Sequence, residues 1–316
     1  MRTYTHFLLL FCLWLLPAAD SLAQPYTLRH LGVEDGLSNN YVRDIAQDRQ
    51  GCIWIATELG LNRFDGCNFT TYKSNNTGLS SDALNVLLYD ETENLLWISG
   101  KFKGICALDC STYRFRSYGE AEGANIDNVV HLSHAANEGI WITMHHGDIV
   151  YYDKRSQTFT SLSDKGIKSL NTSNWCTFDD GAENLYIGHA QGGMSIVNLK
   201  DKSIRNFRYE AGNPKSLPGN SVYSIYKDHL ENIWVGTHSG LYIYDRSTDR
   251  FSYFNETTRY GVFVSSEVKK IIKTQSGLIW IATLGQGVFI YEPVTGVLTQ
   301  NSIHTSFVWD ICQSAD

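Results

Sequence analysis

Two adjacent imidazoles, His145 and His146, come nearest to a reactive pair in this chain. A histidine titrating near neutral pH can serve as a general base, and beside a uronic acid or a lactone it would support a lyase or ring-opening step. As metal ligands the two lack a matched third donor, and adjacent residues of a strand point to opposite faces. Cys106 and Cys110 have zinc-like spacing, but no second Cys or His pair follows at a matching distance. No metal, cofactor or catalytic residue is therefore assigned. A wider polar set remains: Glu58, Lys101, Lys103, His145, His146, His189, Gln191, His238 and Gln286, with Asn40, Asn220, Asn174 and His304 nearby in the repeat pattern. Amides, acids and imidazoles beside aromatic residues suit a hydroxyl-rich sugar, which needs directed hydrogen bonds and an apolar stacking surface. The lysines and histidines would equally suit a uronate or a sulfate. Taken singly, each also reads as an ordinary solvated loop residue.

The elements that must gather these residues repeat. One phrase recurs six times, around Trp54, Trp97, Trp141, Tyr186, Trp234 and Trp280, at spacings of 43, 44, 45, 48 and 46 residues. A period in the forties made of short apolar runs predicts an all-β propeller of four-stranded antiparallel blades. Each unit starts with apolar residues three apart: Val42/Ile45, Leu84/Leu87, Val129/Leu132, Trp175/Phe178, Val222/Ile225 and Val268/Ile271. Trp175 is thereby assigned to packing. A polar turn follows, then the strand holding the aromatic anchor, then a third strand opening on glycine (Gly60, Gly104, Gly147, Gly193, Gly240, Gly287) and a short fourth. Two residues past each anchor, on the same strand face, stands a small residue: Ala56, Ser99, Thr143, Gly188, Gly236 or Ala282. Ring and small partner are expected to interlock with the next blade.

Both ends carry extra pieces of the pattern. Tyr26–Leu31 looks like a fourth strand without a blade, and 306–312 repeats the opening of a first strand, with Val308 and Ile311 in the places of Val42 and Ile45. The expected arrangement is six complete blades plus a seventh, incomplete and closed by the N-terminal strand, with the chain interrupted inside it; a six-bladed ring, which leaves both terminal segments without a role, is the alternative. In this alignment Arg43, Tyr223, Lys269 and Trp309 line the inner mouth of the ring.

Residues 1–23 read as a signal peptide, with Arg2, the apolar run 7–16, Pro17 and small residues up to a cut after Ala23. Residues 24–316 are then an exported, periplasmic propeller. Of the 316 residues 13% are aromatic and 19% charged, with 26 Gly against 5 Pro and a net charge of −7, which excludes disorder and disfavours a nucleic-acid or anionic-membrane partner. Six cysteines remain after Cys12, and Cys52, Cys106, Cys176 and Cys312 sit at apolar strand positions as buried free thiols.

The motifs Gln47-Asp48-x-x-Gly51, Ile53-Trp54-Ile55-Ala56-Thr57 and Gly60-Leu61-Asn62-Arg63-Phe64-Asp65, with the entry 31–40, resemble the two-component regulator propeller repeat. The resemblance implies the N-terminal periplasmic sensor region of a hybrid two-component system. There such a propeller binds an oligosaccharide and signals to a histidine kinase beyond the propeller, with the membrane reached only through that later part and a homodimer as a feature of the intact protein. It implies no enzyme activity in these residues. A catalytic propeller acting on a glycan or lactone, and a protein-binding scaffold, are the alternatives.

Overall fold

The first strand of every repeat breaks simple alternation, and a β-bulge is the reason. The computed structural model describes residues 29–123, 125–167, 173–256, 258–259, 261–301 and 305–313. In it the first strands are Val42–Gln47, Leu84–Asp90, Val129–His134, Asn174–Asp179, Val222–Lys227 and Glu267–Lys273. All six shift register by one residue near the start, for example between Val42 and Asp44. The extra residue lets two side chains three apart enter the same interface. Val129 and Leu132 do so, as do Leu84 and Leu87, and Val268 and Ile271.

Each first strand pairs antiparallel with its anchor strand (Ile53–Thr57, Leu95–Gly100, Ile140–Met144, Asn184–His189, Ile233–Thr237, Ile279–Leu284), which pairs with a third and then a fourth strand. Six such four-stranded meanders form the blades of a β-propeller. Helix among the described residues is confined to single 3-10 turns at Val33–Asp35 and Glu120–Glu122. None is long and apolar enough to cross a membrane.

The anchors pack forward, as their small partners predict. Trp54 joins Leu84, Leu96 and Ile98 of the second blade. Trp97 joins Val129, Ile140 and Ile142 of the third, its ring 5.0 Å from Tyr152. Trp141, Tyr186 and Trp234 repeat the contact with blades four, five and six. The small partner is needed because the next blade's backbone lies against it: a Cβ on Gly188 would stand 2.7 Å from the carbonyl oxygen of Val222, and one on Gly236 2.9 Å from that of Val268. The preceding turn holds the anchor from below. Asp48 accepts the N–H of Gln50 and Cys52 on one oxygen and the Trp54 indole N–H (2.8 Å) on the other, and Asp228 does the same for Leu230, Asn232 and Trp234.

Blades six and one are joined differently. Backbone bonds tie Gly285 and Gly287 to Ser306, and Val308 to Thr283, along blade six. Asp310 then takes the Ile45 N–H of blade one (3.2 Å) and the Lys270 ammonium of blade six (3.0 Å). Residues 305–313 thus lie between blades six and one, joined to blade six by one isolated bridge, Leu284 to Phe307. Flanking them, Trp280, Ile53 and Ile55 are half-buried, whereas the other five anchors are buried. The signal peptide and positions 26–28 of the expected N-terminal strand lie outside the described residues, as does His304.

The buried thiols are Cys106, Cys110 and Cys176, with Cys52 and Cys312 partly covered and Cys67 exposed. Burial pushes Cys106 up to about 11 and Cys110 and Cys176 up to about 12, so all three stay protonated and inert.

Candidate functional site: the mouth of the channel

Because every first strand carries a bulge at the same place, the extra residues form a ring: Arg43, Asn85, Val130, Trp175, Tyr223 and Lys269, with Trp309 in the seventh place. Five of them (Arg43, Asn85, Val130, Trp175 and Trp309) line a cavity of ≈310 Å³ together with Tyr41 and Lys101. A second cavity, of ≈610 Å³, continues across Trp175 to Tyr223, His145, Gln191 and Arg208. The Lys269 ammonium lies 3.3 Å from the centre of the Tyr223 ring and 5.4 Å from that of Trp309. None of the seven ring residues is an acid, although the chain as a whole has a net charge of −7.

One residue deeper, the ring turns ionic. Asp44, Lys270, Asp310 and His131 occupy equivalent positions after the bulge. Asp44 accepts the Leu87 N–H (2.8 Å), and His131 Nδ1 the Thr177 N–H (3.3 Å), just as Asp310 accepts that of Ile45. Burial, then the neighbouring Asp310, push Asp44 well above the usual carboxylate range. Burial raises Asp310 too, but the Lys270 charge and the hydrogen bonds from Asp44, Lys270 and the Ile45 N–H together hold it below the usual carboxylate range. Burial draws Lys270 down, while Asp310 and Asp44 together lift it above the normal lysine range. Burial pulls His131 down to about 3, so it is neutral. The group holds the Asp310–Lys270 ion pair with Asp44 and the neutral His131 beside it.

A family model described as the two-component regulator propeller matches residues 36–58 and 216–239, the stretches that run from an entry loop through the bulge and the aspartate turn to an anchor strand. Two stretches of this chain, in the first and fifth blades, are thus similar to the two-component regulator propeller repeat. The extracellular domain of a putative hybrid two component system from B. thetaiotaomicron is 31% identical, with a TM-score of 0.77 over 92% of this chain and 40% of that one. A second such domain from B. thetaiotaomicron shares the fold at 17% identity and a TM-score of 0.69, over 90% of this chain and 36% of that one. Histidine kinase P4 of Formosa agariphila is 51% identical over 41 residues, 13% of this chain and 3% of the kinase. The chain therefore spans well under half the length of these relatives.

Within the repeats the predicted polar residues separate. Lys101 lines the first cavity, and Glu58 stands beside it, bonded to Arg43 and Lys101. His145 and Gln191 line the second cavity. His146 does not point away from His145: both lie beyond the end of their strand, their rings are 4.2 Å apart, and His146 Nδ1 is 2.9 Å from Ser173 Oγ. Strand alternation fails there because the strand ends at Met144.

His189 leaves the face altogether. It is 1% exposed, with Nδ1 2.9 Å from Asn174 Oδ1 and Nε2 2.7 Å from Ser195 Oγ. A serine, histidine and amide in line suggest a nucleophile and its base. Both Ser195 and His189 are sealed from solvent, however, so the line is a structural network. Burial, then the charge of Arg208, draw His189 down to about 4. Asn40 and Asn220 brace loops by accepting the N–H of Val33 and of Tyr209. Gln286 does likewise, accepting from Ser265 and Ser266 and donating to the Phe263 carbonyl. Lys103 and His238 are exposed and line neither cavity.

Trp175 moves the other way. Asn174, buried and within the first strand, takes the place given to Trp175, and Trp175 becomes the bulge residue, half-buried at the mouth between His145 (4.8 Å) and Tyr223 (5.9 Å). The signal was present in the spacing. Twelve residues separate Val42 from Trp54, Val129 from Trp141, Val222 from Trp234 and Val268 from Trp280, and twelve before Tyr186 is Asn174.

Proposed function

We propose that this propeller is the ligand-sensing part of a hybrid two-component sensor, exported to the periplasm behind a cleaved signal peptide, and that its ligand is an oligosaccharide held at the channel mouth. The histidine kinase activity, the membrane span and any dimer contact belong to the rest of such a sensor. The observation that carries the reading is the pair of cavities that share Trp175, with Trp309 in the lining of one and Tyr223 in that of the other. Flat half-exposed rings next to amide, imidazole and ammonium groups offer a sugar ring both a stacking surface and directed hydrogen bonds. Likeness to an extracellular domain of a hybrid two component system over 92% of this chain supports the sensing role.

The test is thermal unfolding and tryptophan fluorescence of the full chain against a panel of plant, algal and host oligosaccharides. At least one sugar is expected to raise the Tm and change the emission, and Trp175→Ala to abolish both responses. A panel without any response overturns the sugar reading. A catalytic propeller would instead release product from such a panel and lose that release in His145→Ala.

A further inference from the structure

We infer that the mouth selects an acidic oligosaccharide, one whose carboxylate or sulfate sits in the corner between Arg43 and Lys101 while its sugar ring lies on Trp175. This deepens the sugar-binding reading above and rests on it. The charge around the two cavities carries the argument. Four cations border them: Arg43, Lys101, Lys269 and Arg208. Among the described residues two carboxylates are ion-paired with them, Glu58 with Arg43 and Lys101, and Glu267 with Lys269. A surplus of positive charge in a concave site raises the local concentration of anions, and it stands out in a chain whose net charge is −7.

The corner itself is incompletely satisfied. A single carboxylate, Glu58, serves two cations, and Arg43 and then Lys101 hold it below the usual glutamate range, so it remains ionised and the trio keeps one net positive charge. Arg43 Nε is buried without a hydrogen-bond partner among the described residues. The Lys101 ammonium, with 59% of its side chain exposed, retains free donors. A planar carboxylate or a sulfate matches a guanidinium edge and an ammonium side by side, whereas a hydroxyl leaves the surplus charge unanswered. A neutral sugar would stack on Trp175 and take only neutral hydrogen bonds to its hydroxyls from this corner.

The experiment is isothermal titration of the full chain with matched trisaccharides: a galacturonate trimer, its carboxyl-reduced neutral counterpart, a sulfated galactan trimer and its desulfated form. At least one acidic member is expected to bind tenfold or more tightly than its neutral twin, and raising salt is expected to narrow the gap. Lys101→Met should weaken the acidic ligand about tenfold, while Lys103→Met, an exposed lysine outside the cavities, should leave it within twofold. The better of the two acidic ligands tells carboxylate from sulfate. Neutral twins binding as well as the acidic ones overturn the inference and leave the sugar reading standing. No binding of any of the four, together with a silent wider panel, overturns both. Equal losses in the two lysine variants overturn the corner as the anion's place.

Discussion

Acid should weaken this propeller through one identifiable side chain, and the size of the effect follows from where that side chain is buried. His189 is 1% exposed and is drawn down to about 4, first by burial and then by Arg208. In the unfolded chain its imidazole titrates near 6.5. As the pH falls below that value the unfolded state takes up a proton that the folded state refuses. The stability present above pH 6.5 is therefore lost progressively until the pH reaches the folded value. Integrated from pH 7 to pH 5, the difference amounts to about 2 kcal/mol. His189→Gln keeps a donor and an acceptor toward Asn174 and Ser195 and carries no charge at any pH. Urea unfolding of both proteins at pH 7 and pH 5 gives two losses of stability, and the variant's loss should be smaller by about 2 kcal/mol. His131, pulled down to about 3 in the channel, is common to both proteins and drops out of the difference. If the variant loses as much stability as the parent between the two pH values, His189 is not the buried neutral imidazole described above.

The interlocking of anchors makes Trp234→Ala cost about 3–5 kcal/mol, as for a filled core, while Trp280→Ala, half-buried beside residues 305–313, should cost less than half as much in the same urea titration. Equal costs would contradict the forward packing. Gly236→Ala places a methyl 2.2 Å from Ser224 Oγ and 2.9 Å from the Val268 carbonyl oxygen, so it should destabilise by about 1–3 kcal/mol although its backbone angles suit alanine. An unchanged midpoint would mean that blades five and six are not in close contact there. Asp310→Asn leaves Lys270 without its ion-pair partner. Breaking a buried pair costs about 3–5 kcal/mol, but 37% of the Lys270 side chain is open to the channel, so a loss of about 2 kcal/mol is expected. Full stability of this variant would detach Asp310 from the closure of the ring.

The blades were legible because each carries its own local grammar. An aromatic anchor with a small residue two places on requires a close neighbour, and it recurs at a period that only one architecture accommodates. Asp48 and Asp228, set six residues before their tryptophans, are the same kind of signal: a short-range contact that the chain writes within a single turn. The candidate site was less legible. Asn40, Asn220 and Gln286 stand on entry or exit loops like residues that meet a ligand, yet their amides are spent on holding those loops. His189 leaves the loops because it is the last residue of its strand and turns inward to meet Asn174 and Ser195. Trp175 reaches the mouth because the bulge exchanges the inward and outward sides of everything before it, and only the twelve-residue spacing from Asn174 to Tyr186 marks this in the sequence.

From the amino acids alone, then, come the fold class, the six anchors and the forward interlock. These depend on contacts within about fifty residues, and the repetition states them six times over. What only the tertiary structure decided is which side chains reach the channel mouth and with what charge. Arg43, Trp175 and Trp309 lie as much as 266 positions apart in the chain and meet because the ring brings first strands together around one axis. Such a meeting is a property of closure, and no segment of the chain contains it.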